Sequence, residues 1–436
     1  MQNRALFFIA FLLLVSCQID AESPVWPRWR GPNGDGVSTE TNWNPNCLQG
    51  GARVLWTADV GAGYSSVSIS GGRLFAVGSG DVTHLSVVCL DAATGKSIWK
   101  QSLMLGVGSQ DPMATPTVDG DRVYGMAQNG AVFCLMSSDG SLAWKKIVGP
   151  DAGDDVRTFS LGYGRACSPV IDGNLLLVNA NMAGVALDKR DGHLVWDSGK
   201  RIANPLLPFA EAYATPLVAD IDGRRAAIFL GPTALSAVDA ATGKPLWSID
   251  HGEGVEVISD PLVAGTVLYF TTGSRGTAVD FGRHRGLLSL LRREKIPRPL
   301  WSNELLRGCI ATPVLVGGYL YGTDWDRYVD SWNWHPVLVS DWWFRCLELK
   351  TGKVAWEKQM PWVSLSAAGG KLITLSGKGT LTIAEASPRG FEPISSADVF
   401  AGRDRPRLFV TPPVLCDGRI YARNYSGDLI CIDARK

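Results

Sequence analysis

Seven residues stand where chemistry would be easiest to assemble. Asp111, Arg165, Glu211, Glu256 and Arg307 each lie a few positions before a proline that opens an apolar strand. Asp260 immediately precedes its proline, and Tyr64 leads into the first strand of the series. Carboxylates, guanidinium groups and a phenol converging on one mouth would hold a small polar ligand. The same groups can instead pair with each other or with loop backbone and stay solvated, and the sequence leaves both readings open.

Other reactive side chains are sparse or badly spaced. The five histidines, His84, His193, His251, His284 and His335, form no metal-ligand spacing. There are nine cysteines but no CxxC and no adjacent pair. Cys89, Cys134, Cys346 and Cys431 recur in "VCLD", "FCLM", "RCLE" and "ICID". One position repeated in separate units is too far apart for a disulfide, so these read as small buried apolar residues. Cys167, in "GYGRACS", has no recognisable base. The runs "GSRG" and "GRHRG" lack the strand-to-helix context of a phosphate loop and read as turns. The expectation is no catalytic residue and no metal. The most unusual stretch is "DWDRYVDSWNWHPVLVSDWW", residues 324–343. It brings Trp325, Tyr328, Trp332, Trp334 and Trp342 into what reads as a long surface loop, either a binding patch for a glycan or protein or a cover for its own strand edge.

The elements that would position these residues repeat along the chain. "LDAATGKSIWK" at 90–100 returns as "LMSSDGSLAWK", "LDKRDGHLVWD", "VDAATGKPLWS" and "LELKTGKVAWE". Each is a strand end, a Gly turn and a tryptophan. A second signal, an apolar hairpin led by Pro or Ser, occurs eight times, from "SVSISGGRLFAV" at 66–77 to "PPVLCDGRIYAR" at 412–423. Trp99, Trp144, Trp196, Trp247, Trp301 and Trp356 follow at spacings of 45, 52, 51, 54 and 55. Such periods mean radial repetition with four strands per unit. The last repeat stops at "LICIDARK", where the turn and tryptophan strand are due, and "ARVLWTADVG" at 52–61 supplies Trp56 without its partner. The chain therefore predicts an all-β, eight-bladed propeller whose closing blade is shared by both termini. Each tryptophan is expected to wedge against the neighbouring blade.

These repeats resemble the pyrroloquinoline-quinone-type propeller family, whose signature strand ends in "ALDAxTGxxxW". The resemblance covers about residues 52–436 and implies the fold; it does not imply a quinone, because the family includes proteins that bind none. A quinone dehydrogenase of this family would need pyrroloquinoline quinone, calcium held by carboxylates and an amide, and an Asp base. The adjacent cysteines of the family's alcohol dehydrogenases are absent here, as is any CxxCH. No cofactor is expected, with quinone and calcium kept as the alternative. The lead-in "WPRWRGPNGDGVS" at 26–38 resembles a segment opening exported propellers of this kind, and residues 17–51 are expected to form a strap rather than a blade.

The first 16 residues read as a signal peptide. Its apolar run ends in "LVSC", Leu14–Cys17, which resembles a lipobox and would make Cys17 the lipidated residue. The chain then resembles the propeller lipoproteins of outer-membrane barrel assembly. That implies a periplasmic, outer-membrane-anchored, non-catalytic scaffold for envelope proteins; a glycan-binding propeller is a further alternative. Lys+Arg and Asp+Glu are both 42, so nothing favours nucleic acid, and a monomeric propeller is expected.

Overall fold

The computed structural model describes residues 25–79, 84–104, 112–148, 167–179, 184–198, 213–221, 223–252, 258–272, 274–282, 299–307, 311–324, 341–401 and 411–436. Among them lie eight four-stranded antiparallel sheets, one of which gains a fifth strand in parallel pairing. They are the blades of a propeller. Blade 1 runs outward from the axis as Val67–Ser70, Arg73–Ser79, His84–Asp91 and Ser97–Met104. Blades 2 to 7 repeat this order, with innermost strands Thr117–Asp119, Val170–Asp172, Leu217–Ile221, Leu262–Ala264, Val314–Val316 and Val363–Ala368. The two middle strands of each blade carry almost continuous apolar burial, as in His84–Asp91, because both of their faces meet neighbouring blades.

Blade 8 closes the ring. Its three inner strands, Val414–Cys416, Arg419–Arg423 and Asp428–Asp433, come from the C-terminus. Its outer strand, Val54–Asp59, comes from the N-terminal side and pairs Trp56 with Cys431 and Thr57 with Ile430. No ladder is left open where the chain ends meet. Arg423 ties this blade to the next. It is buried, and its guanidinium donates to the carbonyls of Ser65 and Gly61.

The tryptophans act between blades. Trp56, Trp99, Trp144, Trp196, Trp301 and Trp356 donate their indole N–H to Ala92, Ser137, Lys189, Ala240, Leu349 and Ser387, each a turn carbonyl of the following blade. Trp247 packs on Phe281 of blade 5, with ring centroids 5.0 Å apart. The turn glycine is required for this contact. Gly140 has φ +75°, and a Cβ there would lie 2.6 Å from Trp99.

Blade 7 has no such tryptophan, and its neighbour shows why. The two outer strands of blade 8 come from opposite ends of the chain, so no turn joins them. Trp43 and Leu48 fill that place instead, packed with Ile383, Phe400, Ile432 and Ala434.

The cysteines among the described residues, Cys47, Cys89, Cys134, Cys167, Cys346, Cys416 and Cys431, are all free. All but Cys47 are buried. Burial pushes the thiols of Cys89 and Cys346 up to about 11, the direction of inert core residues.

Candidate functional site

The channel that runs along the axis of such a ring is the natural ligand site of the fold. Here it is lined by a hydrogen-bonded belt. Ser66, Thr115, Ser168, Thr215, Asp260 and Thr312 occupy one equivalent position, at the entrance of successive inner strands. The amide of each donates to the side-chain oxygen of the next: Ser66 to Thr115 at 2.9 Å, Thr115 to Ser168 at 2.9 Å, Ser168 to Thr215 at 3.3 Å, Thr215 to Asp260 at 2.7 Å and Asp260 to Thr312 at 2.9 Å. Backbone amides that the ladders leave unpaired are thereby satisfied across blades. A hydroxyl or carboxylate immediately before the proline is what this bond needs, which accounts for the recurrent Thr-Pro, Ser-Pro and Asp-Pro pairs.

Within this belt the axis is filled by the chain itself. Trp26 forms an antiparallel bridge with Ile69 of blade 1, and the carbonyl of Pro27 accepts from Val118 of blade 2. Val37 and Ser38 then lie parallel to Ala367 and Ala368 of blade 7. Glu40 accepts from the amides of Asp417 and Gly418 in the inner turn of blade 8. Both limbs thus sit at the face bearing the inner-hairpin turns. Between them the chain turns back on itself deep in the channel. Arg30 takes a left-handed φ of 61°, followed by Gly31 at 80°, Gly34 at 71° and Gly36 at 79°. A non-glycine residue in that region stores strain and needs strong contacts to hold it.

Those contacts are on the page. Trp29 donates its indole N–H to Asp260 at 2.6 Å. The Arg30 guanidinium donates to the carbonyls of Thr312 at 3.2 Å, Pro313 at 2.8 Å and Asp35 at 2.7 Å, and its Nε lies 4.0 Å from the Asp260 carboxylate. Arg30 and Asp260 are 3% and 4% exposed, so the pair is dry and each charge depends on the other. Burial raises the Asp260 carboxyl, opposed first by the Arg30 charge, and lowers Arg30, opposed first by Asp260.

Of the other mouth residues, Tyr64 and Arg307 lie among the described residues, and each has partners of its own. Tyr64 stacks on Tyr425, with centroids 4.9 Å apart, in a cluster with Ala311, Trp342 and Trp362. Arg307 is bound to Asp324, with its Nε at 3.1 Å and its amide at 2.9 Å from one carboxylate oxygen. Arg345 donates to that same carboxylate, to the Leu305 carbonyl at 2.9 Å and to Glu357 at 2.9 Å. Asp111, Arg165, Glu211 and Glu256 lie outside the described residues, as do Cys17, Trp325, Tyr328, Trp332 and Trp334. Trp342, grouped with the aromatic loop by sequence, belongs instead to strand Asp341–Glu348, where it pairs with Met360; the strand begins before the loop's sequence pattern ends.

Sequence reasoning passed over Trp29, Arg30, Asp324, Arg345 and Arg423. The sequence signals for the first two were the glycine-rich run that follows them and the resemblance of "WPRWRGPNGDGVS" to a segment that opens exported propellers. Buried Asp188 with exposed Asp191 and His193 has its side-chain oxygens and nitrogens close enough for a cation. Asp188 is however engaged by Arg190 at 2.6 Å and His193 by Asp191 at 2.7 Å.

Fold and axis together define an eight-bladed propeller of the quinone-type repeat class, plugged by its own N-terminal segment. A family profile described as outer membrane protein assembly factor BamB matches residues 48–220 and 84–358, and the chain belongs to that family. It is 27% identical over 320 residues to the outer membrane protein assembly factor BamB of Burkholderia pseudomallei, covering 69% of this chain and 68% of that protein. It is 24% identical over 324 residues to the protein of the same name from Yersinia pestis, covering 63% and 77%. Among solved structures, BamB from Moraxella catarrhalis superposes with a TM-score of 0.60 at 15% identity, covering 87% of this chain and 97% of that one. The quinohemoprotein alcohol dehydrogenase of Comamonas testosteroni gives 0.66 at 12% identity, covering 94% and 80%. At such identities these two likenesses establish the fold alone.

The fold thereby raises the question of a quinone on the axis. Among the described residues the axial groups do not fit one. Asp260, the buried axial carboxylate, already accepts from Trp29 and Thr215, and the space beside it holds Trp29 and Arg30.

Proposed function

We propose that this chain is an exported, non-catalytic scaffold of outer-membrane protein assembly, held at the membrane by lipid on Cys17, that offers its propeller loops to envelope proteins. The observation that carries the non-catalytic part is the plug. A propeller that spends its axial carboxylate on its own Trp29 and Arg30 invests the channel in holding the chain together. The scaffold part is supported by the relatives, which are named for outer-membrane protein assembly. The alternative, a quinone- and calcium-dependent dehydrogenase, is supported by shared fold only.

The test is affinity capture by the full-length chain from detergent-solubilised envelope, with proteins identified by mass spectrometry. The reading expects outer-membrane assembly proteins to be enriched over a chain carrying Tyr64→Ala and Tyr425→Ala at the mouth. Equal recovery by both chains, or no assembly protein at all, overturns it.

A further inference from the structure

One oxygen of the axial belt is surplus to the belt. Thr115, Ser168, Thr215 and Thr312 accept the neighbouring amide with a hydroxyl, whereas Asp260 accepts it with a carboxylate. Its first oxygen takes the Thr215 amide at 2.7 Å. Its second faces the plug, where Trp29 donates at 2.6 Å and Arg30 Nε lies 4.0 Å away. The channel wall also pairs with the plug through bare backbone. Ile69 both donates to and accepts from Trp26, Val118 donates to Pro27, and Ala367 donates to Gly36. These wall residues lie on innermost strands, which are sheet edges, and an edge that pairs with an extended segment is a peptide-recognition surface. Each of these contacts is made by a backbone group, an indole or a guanidinium. None depends on the plug belonging to the same chain.

The plug has the form of a ligand for such a wall. Its turn is closed by bonds of its own: Gly34 donates to Gly31 at 3.1 Å, Gly36 to Arg30 at 2.9 Å, and Val37 to the Asp35 side chain at 2.9 Å. Gly31 has no room for a side chain, because its φ is +80° and a Cβ would lie 2.9 Å from the Trp26 ring. A turn that holds itself is preorganised and loses little freedom on binding. Arg30 keeps a strained left-handed backbone, and what its side chain brings there is a guanidinium beside Asp260 that donates to Thr312 and Pro313. After the plug, Thr41 and Asn42 are exposed, and from Trp43 onward the chain packs on blades 7 and 8. We propose that the axial channel is a peptide-binding site for a Trp-Arg-Gly turn flanked by extended chain. Residues 26–38 occupy it in cis, as a ligand that a segment of the same chemistry on a separate chain can replace. The proposal stands on the axial geometry and goes beyond the scaffold reading, on which it does not depend.

The experiment uses the full chain with a protease recognition sequence inserted between Thr41 and Asn42, so that one cut frees the plug from the ring. The probe is a fluorescent synthetic peptide of residues 25–39, followed by anisotropy. The cut chain should take up the peptide saturably and release its own N-terminal fragment in equal amount. Asp260→Asn in the ring, or Trp29→Phe in the peptide, should weaken uptake about ten- to a hundredfold, as expected for a lost hydrogen bond to a charged group. The uncut chain should bind the peptide about a hundredfold more weakly, because the tethered plug competes at an effective concentration near millimolar. A cut chain that keeps its fold but takes up no peptide, or takes it up equally with both substitutions, overturns the proposal. If the cut chain unfolds, hydrogen exchange of the uncut chain decides. The amides of Ile69, Val118 and Ala367, which donate to the plug, should then exchange at least about tenfold faster than that of Val87 inside blade 1, through local opening of the plug. Equal protection at all four overturns it.

Discussion

At the scale of single residues, one carboxylate does what hydroxyls do elsewhere. Asp260 takes the place of Thr or Ser in the belt, and its second oxygen is what receives the plug. Asp260→Asn keeps an acceptor for the Thr215 amide but turns an amide N–H₂ toward Trp29 and leaves Arg30 without a counter-charge. The expected loss is about 2–4 kcal/mol, read by urea denaturation, together with faster proteolysis around residues 25–38. An unchanged midpoint would mean that the plug is held by its backbone contacts alone. Two carboxylates held by neighbouring arginines behave in the opposite sense. Hydrogen bonds from Arg435 hold Asp433 down to about 2, and those from Arg190 do the same for Asp188. Both folded values lie below the unfolded value of about 3.9, so their contribution is complete above about pH 4 and is lost as pH falls toward 2. The Arg435→Gln variant should therefore lose less stability than the parent between pH 5 and pH 2; a parallel loss would rule this pair out as a source of acid sensitivity. Asp260 was legible in the sequence as a candidate, because it is a carboxylate immediately before a strand proline. Its role was not, because its partner Trp29 lies 231 positions away and no local pattern encodes such a contact.

At the scale of elements, the blade is legible because each of its needs is local. Alternating apolar strands, a Gly turn and a following tryptophan lie within one stretch of chain, so repetition exposes them. The contact they build can be isolated with two glycines. Gly140 and Gly120 both have positive φ, +75° and +58°, but a Cβ at Gly140 meets Trp99 at 2.6 Å while one at Gly120 meets nothing within 4 Å. Both alanine variants should pay about 1 kcal/mol for the left-handed backbone, and Gly140→Ala about 1–3 kcal/mol more for the clash. Equal thermal shifts in the two variants would contradict the wedge. The missing tryptophan of blade 7 has a structural reason: the next blade has no turn to receive it, and Trp43 and Leu48 pack there instead. That reason was hidden because it depends on where the ring is cut. The end of the aromatic insertion was misjudged for a related cause: strand Asp341–Glu348 runs past its inner partner to pair Trp342 with Met360, an extension that apolar patterning alone does not mark.

At the scale of the whole molecule, ring closure and plug are two uses of one N-terminal segment. Residues 54–59 complete blade 8, and residues 26–38 fill the axis, so the same stretch of chain touches blades 1, 2, 5, 6, 7 and 8. A fold whose quinone-bearing likenesses include alcohol dehydrogenases is here stapled through its centre. The central proposal is that this axis serves cohesion and takes no cofactor. Its most direct test is calorimetric titration of the full-length chain with pyrroloquinoline quinone in the presence of calcium, alongside the melting temperature and dye-linked alcohol oxidation. The account predicts no saturable heat, no shift in melting temperature and no oxidation above background. One-to-one binding that raises the melting temperature would contradict it.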